Sequence, residues 1–292
     1  MHYPPRVPLT GLHVVVVASY VPAALAAQRL VAFGAAATFV LPPAGDPLAK
    51  LAPSWFEGLH ERSEVVHLDL RSQVGRDALE PVLARADVLL TALRPSSLGR
   101  LGLSWQSLHG RHPRLSHVAI VGYPSPREEE PGHDLTYQAA AGLLSPPSMP
   151  RSLIADLAGA EHAALAAVSL VLGRERGGEA GCRMVSLAGA ALAFAEPLRH
   201  GMTTPRGVLG GALPGYGIYR ARDGWVAVGA LEPHFFADLC EALGLGPDAG
   251  REELQRAFGT ETMEHWDRWA AERTLPVVAV RDRPPTGAPQ TI

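Results

Sequence analysis

The first two hundred residues alternate short apolar runs with helical stretches, each closed by turn residues. Residues 12–17, Leu-His-Val-Val-Val-Val, form a β-branched run of the kind found in parallel strands buried on both faces. Residues 22–33 are Ala-rich and close on Gly34, which predicts a helix; 36–41 predict a second strand, stopped by Pro42-Pro43. The alternation continues with strands at 65–70, 88–91 and 115–121 and a helix at 76–86. Arg94-Pro95 marks a turn before a short apolar segment, 98–103, and residues 124–131, with Glu128-Glu129-Glu130, read as a polar loop. Residues 161–174 predict a helix with basic residues at its end, as the macrodipole favours, and 183–187 a returning strand. This order predicts an α/β fold, a Rossmann-like and mainly parallel sheet covered by helices on both faces.

The character changes after about Ala195. Residues 207–217 are rich in Gly and Pro, a linker or lid. Residues 216–220 and 225–229, joined across Asp223-Gly224, predict a β-hairpin, followed by helices at 235–243, 251–258 and 263–273 and a tail over 284–292. The expected division is a large Rossmann-like domain over 1–204 and a smaller α+β domain over 205–292.

Composition narrows the possibilities. With 47% hydrophobic and 19% charged residues the chain is of ordinary globular make-up, and a net charge of −3 gives no electrostatic case for nucleic acid. Lys50 is the only lysine, so an anionic ligand would meet Arg. Two cysteines, Cys182 and Cys240, without a CxxC pair or a zinc spacing, predict no metal site, no disulfide framework and a reducing, cytoplasmic setting. Residues 1–6 lack the design of a signal peptide, and the apolar runs 14–17 and 163–172 are too short to span a bilayer, so no membrane is expected. The turn at 18–22 holds no glycine, which argues against a dinucleotide site after the first strand.

Candidate chemistry centres on residues 132–156. His133, in Gly-His-Asp, brings an imidazole, and Asp156 brings a carboxylate at the opening of a long apolar helical run. Such a pair is the material of proton transfer or carboxylate attack. The structural alternatives are a loop His bonded to a carbonyl and an Asp that caps a helix.

Several stretches, in order, resemble the family III CoA-transferases, most of all their α-methylacyl-CoA racemase-like members. They are Leu9-Thr10-Gly11-Leu12, Leu30-Val31-Ala32-Phe33-Gly34-Ala35, His67-Leu68-Asp69-Leu70-Arg71-Ser72, Ala86-Asp87-Val88-Leu89, and Arg94-Pro95 with Leu101-Gly102-Leu103. Gly132-His133-Asp134-Leu135, Ala155-Asp156-Leu157, Asp223-Gly224-Trp225 and Val228-Gly229-Ala230-Leu231-Glu232-Pro233 complete the series, across roughly residues 8 to 283.

The resemblance implies an acyl-CoA enzyme that works as a homodimer of interlocked chains. CoA thioester is then the substrate, with no tightly bound cofactor. In racemase-like members the residues matching His133 and Asp156 lie on opposite faces of the α-carbon of a 2-methylacyl-CoA, and the residue matching Glu232 tunes the His. In transferases the carboxylate matching Asp156 attacks the thioester instead. The start of the helix after Asp156 would offer N–H donors to an enolate oxygen. Arg94, Pro95, Tyr137 and Leu157 are the implied CoA contacts.

The sequence departs from the family in four places. Glu61-Arg62-Ser63-Glu64 stands where a basic segment is usual, Tyr20-Val21-Pro22-Ala23 replaces an Ala-Gly-Pro loop, Ala188 replaces an acid, and the residues to 292 stop short of the C-terminal return segment that the resemblance leads one to expect. A degenerate, non-catalytic or partner-dependent homologue is therefore a third reading beside racemase and transferase.

Overall fold

A computed structural model describes residues 7–283, so residues 1–6 and the tail at 284–292 lie outside the described residues. The chain divides after Ala195 into two compact units. The first contains β1 (His13–Val17), α1 (Val21–Ala32), β2 (Ala36–Leu41), α2 (Leu48–Leu51), α3 (Pro53–His60), β3 (Glu64–His67), α4 (Gln73–Leu83) and β4 (Val88–Thr91). It continues with α5 (Pro95–Arg100), α6 (Trp105–Arg111), β5 (Ser116–Val121), α7 (Asp134–Ala140), α8 (Ile154–Glu175), β6 (Cys182–Ser186) and α9 (Leu187–Phe194). The second contains α10 (Glu196–Arg199), β7 (Tyr216–Arg220), β8 (Trp225–Gly229), α11 (Pro233–Ala242), α12 (Arg251–Phe258), α13 (Met263–Arg273) and β9 (Val277–Ala279).

The expected Rossmann-like sheet is present. Six parallel strands run in the order β3-β2-β1-β4-β5-β6, and the second unit holds an antiparallel sheet in the order β7-β8-β9. Strand periodicity explains why β1 is apolar after His13. Val14 and Val16 enter one core, with α1, α8 and α9, while Val15 and Val17 enter the other, with residues of α4, α5 and α6.

The helix α8 is the central rod of the first core. Its buried positions are almost all alanine (Ala155, Ala158, Ala160, Ala163, Ala164, Ala167), and it packs against α1, α9 and the sheet. A Cβ at Gly159 would stand 2.3 Å from a methyl of Leu187 at the start of α9. By length and composition α8 could cross a membrane, which corrects the reading of its apolar run as too short; its alanine face is core here.

Other boundaries also moved. The helix read at 161–174 begins seven residues earlier, at Ile154. The strand read at 65–70 pairs only over Glu64–His67, because β2 ends at Leu41 and Leu68 makes the last bond to it. The helices α2, α3, α5, α6, α7, α9 and α10 and the strand β9 were not anticipated; all are short, with three to eight residues, too few to display a period.

Phe39, 1% exposed on β2, stacks on His60 of α3 with ring centroids 4.2 Å apart. Phe39→Ala is expected to cost about 3–5 kcal/mol through lost transfer energy and the cavity left behind, read as a lower denaturant midpoint.

Candidate active site

Open parallel sheets bind ligands beyond the carboxyl ends of their strands, where the strand order reverses. Here that point lies between β1 and β4. A cavity of about 350 Å³ sits there, lined by Ser19 and Tyr20 after β1, Ala92 to Arg94 after β4, and Ile120 to Gly122 at the end of β5. The loop before α7 adds Glu128, Glu130 and His133, and α8 adds Asp156.

Tyr137 of α7 is held in this cavity by two glycines. A Cβ on Gly122 would meet its hydroxyl at 2.4 Å, and one on Gly132 would meet its ring at 2.5 Å. The glycine of Gly-His-Asp is therefore the space in which the Tyr137 ring lies. Burial, then the nearby Tyr123 and Asp156, push the Tyr137 phenol up to about 12, with Arg94 opposing. It is a hydrogen-bond donor at neutral pH, not an anion.

His133 is the N-cap residue of α7. Its backbone is fixed by Thr136, whose hydroxyl accepts the His133 N–H at 3.1 Å and donates to the His133 carbonyl at 2.8 Å. The imidazole is exposed and makes no hydrogen bond among the described residues; the Tyr20 ring stands edge-on to it, 6.4 Å between centroids.

Asp156 is not the cap of α8. It is the third residue of the helix, and Leu153 at the N-cap position makes no side-chain bond. The capping group comes from a distance: buried Asp134 accepts the N–H groups of Ala155 (2.8 Å) and Asp156 (3.1 Å) through Oδ1. Gln138, buried one turn further along α7, donates through Nε2 to Asp134 Oδ2 (2.5 Å) and to the Ser152 carbonyl (2.8 Å). Two of the donors that the sequence reading assigned to an enolate oxygen are thus already occupied. The same arrangement sets the acidity of Asp156. Burial, and secondly the Asp134 charge, push its carboxyl up to about 7.

The cavity brings together Arg94, His133, Tyr137 and Asp156. Pro95 is half-buried at the first position of α5, and Leu157 packs against the core rather than lining the cavity. Glu232 lies in the second unit, exposed, at the N-cap of α11. The Glu129 carboxylate accepts the Ser96 N–H (2.7 Å) and hydroxyl (2.8 Å), which ties the acidic loop to the start of α5 beside Arg94. Sequence reading gave no site role to Tyr20, Trp55, Glu128, Asp134 and Gln138. Tyr20 could have been found from the rule that ligands gather after β1; Trp55 lies on the second helix past β2, and the hydrogen bonds of Asp134 depend on a 22-residue separation that no local pattern carries.

Among the described residues no other cluster offers comparable chemistry. Cys182 Sγ lies 3.9 Å from His117 Nδ1, but burial pushes the thiol up and the imidazole down to about 4, so the thiol stays protonated. Among the described residues no group of three or more His, Cys, Asp and Glu side chains could hold a metal.

The model of the family described as CoA-transferase family III matches residues 9–285. The chain belongs to that family. This CoA-transferase family III member is 30% identical to the mouse (Mus musculus) α-methylacyl-CoA racemase, over 91% of this chain and 72% of that one. It is 27% identical to the succinyl-CoA–D-citramalate CoA-transferase of Chloroflexus aurantiacus, over 82% of this chain, and spans 66% of that relative's length. A crystal structure of Rv3272 from Mycobacterium tuberculosis is similar at 25% identity and a TM-score of 0.81, covering 94% of this chain and 83% of that one.

The raised pKa of Asp156 predicts a pH signature. The unfolded chain releases this proton near pH 4 and the folded chain near 7, so across that window the native state holds more protons and stability falls as pH rises. Asp156→Asn is expected to raise the melting temperature at pH 8, by up to roughly 4 kcal/mol of stability, with the gain shrinking toward pH 4. Asp134→Asn, which removes the neighbouring charge, is expected to move the Asp156 titration to lower pH, read by carboxyl carbon NMR.

Proposed function

We propose that the chain is a racemase-like acyl-CoA enzyme, moving the α-proton of a 2-methylacyl-CoA between His133 and Asp156. The observation that carries the reading is an imidazole and a carboxyl pushed up to about 7 on the walls of one cavity. A 1,1-proton transfer needs one group to take a proton from one face of the α-carbon and another to deliver a proton to the opposite face. Both must be able to change protonation state near neutral pH. The thioester α-proton leaves as its bonding pair moves into the enolate, and the enolate carbon then takes a proton from the other residue. Tyr137 supplies a neutral O–H in the same cavity, and Arg94 a guanidinium suited to the phosphates of CoA.

The second reading is CoA transfer through an acyl-Asp156 anhydride, favoured by the citramalate transferase relative. That nucleophile must be ionised, and the burial that raises the Asp156 pKa works against it at neutral pH. In a third reading the chain is a non-catalytic homologue. Calorimetric titration with CoA separates it, since that reading requires no CoA binding. We also propose a homodimer, since exposed apolar side chains on α8 (Leu165, Leu172), β6 (Met184) and α9 (Leu192, Phe194) provide surface for a second copy to cover. Light scattering at micromolar concentration should give twice the chain mass; a monomer rejects the dimer.

In deuterated water the wild type should wash deuterium into the α-position of a 2-methylacyl-CoA. His133→Ala should slow that exchange by about 10²-fold or more. Unchanged exchange in His133→Ala, together with CoA transfer abolished in Asp156→Ala, would instead establish the transferase.

A further inference from the structure

Tyr20, in the loop between β1 and α1, has φ 66° and ψ −165°, a region of backbone space that residues other than glycine rarely enter. Such a conformation persists only where its surroundings impose it. Here the imposing group is the buried Asp46. Its Oδ2 accepts the Tyr20 N–H at 2.8 Å and its Oδ1 accepts the Leu48 N–H at 2.8 Å, tying the loop after β1 to the start of α2.

The product of this strain is the position of the ring. Tyr20 stands on the cavity wall, edge-on to His133, and Leu48, Leu51 and Trp55 from α2 and α3 line the same cavity. Leu51 and Trp55 are exposed, Leu51 by 75%. Charge on the lining runs the other way from what a second carboxylate on the substrate would need. Among the described lining residues Arg94 is the one Arg or Lys; Glu128 is a lining acid, and Glu130, also on the lining, is paired with Arg127. A distal carboxylate would thus meet like charge, whereas a flat apolar group meets two aromatic rings and two leucines.

We propose that Tyr20 is a specificity-determining residue of the acyl-CoA site, selecting, with Leu51 and Trp55, acyl groups that carry an aryl ring over those that end in a carboxylate. The inference rests on the acyl-CoA reading above and holds for either the proton-transfer or the transferase chemistry.

Calorimetric titration of the full chain with CoA, phenylacetyl-CoA, hexanoyl-CoA and succinyl-CoA tests it. Wild type should bind phenylacetyl-CoA about tenfold or more tightly than succinyl-CoA. Tyr20→Gly, whose backbone accepts the conformation without strain, should keep its melting temperature or gain, retain CoA affinity, and lose about 5- to 10-fold of the preference for phenylacetyl over hexanoyl thioester. Trp55→Leu, which keeps the site apolar but removes a ring, should lower the same ratio. Equal affinity for phenylacetyl- and succinyl-CoA, or a phenylacetyl-to-hexanoyl ratio unchanged in both variants, overturns the proposal while leaving the acyl-CoA reading intact. Absence of binding to CoA itself overturns both.

Discussion

One buried carboxylate organises this site. Asp134 accepts two of the N–H groups that α8 would otherwise leave unpaired, and Gln138 satisfies its remaining oxygen while gripping the Ser152 carbonyl just before the helix. The bond joins α7 to α8 across a separation of more than twenty residues. It therefore fixes His133, the residue before Asp134, relative to Asp156, the residue whose N–H it holds. Two groups on the wall of one cavity are thus positioned by one interaction.

The same carboxylate is a cost to its neighbour. An acid taken out of water and set near another negative charge keeps its proton to a higher pH, and the fold is less stable wherever that proton must leave. The N–H groups of the helix start, which could have favoured ionised Asp156, are directed at Asp134 instead. The local electrostatics thus hold Asp156 at the boundary between acid and base, and the stability of the helix junction offsets the burial.

The sheet was legible in the sequence because its strands are continuous apolar runs with Gly and Pro at their ends: β2 and β4 match the sequence reading residue for residue, as do β7, β8, α12 and α13. The start of α8 was not, because the signal used to place it, an acid before an apolar run, is the usual mark of a cap, and here the cap is supplied from α7. The motif Gly132-His133-Asp134 pointed to the site, yet its physical content was only partly visible. The glycine makes room for the Tyr137 ring, and the aspartate caps a distant helix; both facts are tertiary. Tyr20 was noted only as a departure from a family loop, and its backbone conformation cannot be read from residue type.

Alanine at nearly every buried position of α8 lets that rod lie close to α1 and the sheet with little side-chain volume between them. A helix of this length extends about 33 Å at ~1.5 Å per residue. Asp156 rides on its first turn, so the rod behaves as a lever. A methyl group added between Ala163 and Ala167, several turns from the cavity, would tilt the axis and swing the acid at its tip. Sensitivity of the cavity to substitution should therefore run down the length of α8 instead of fading with distance, making the remote half of one helix part of the control over where the Asp156 carboxyl sits.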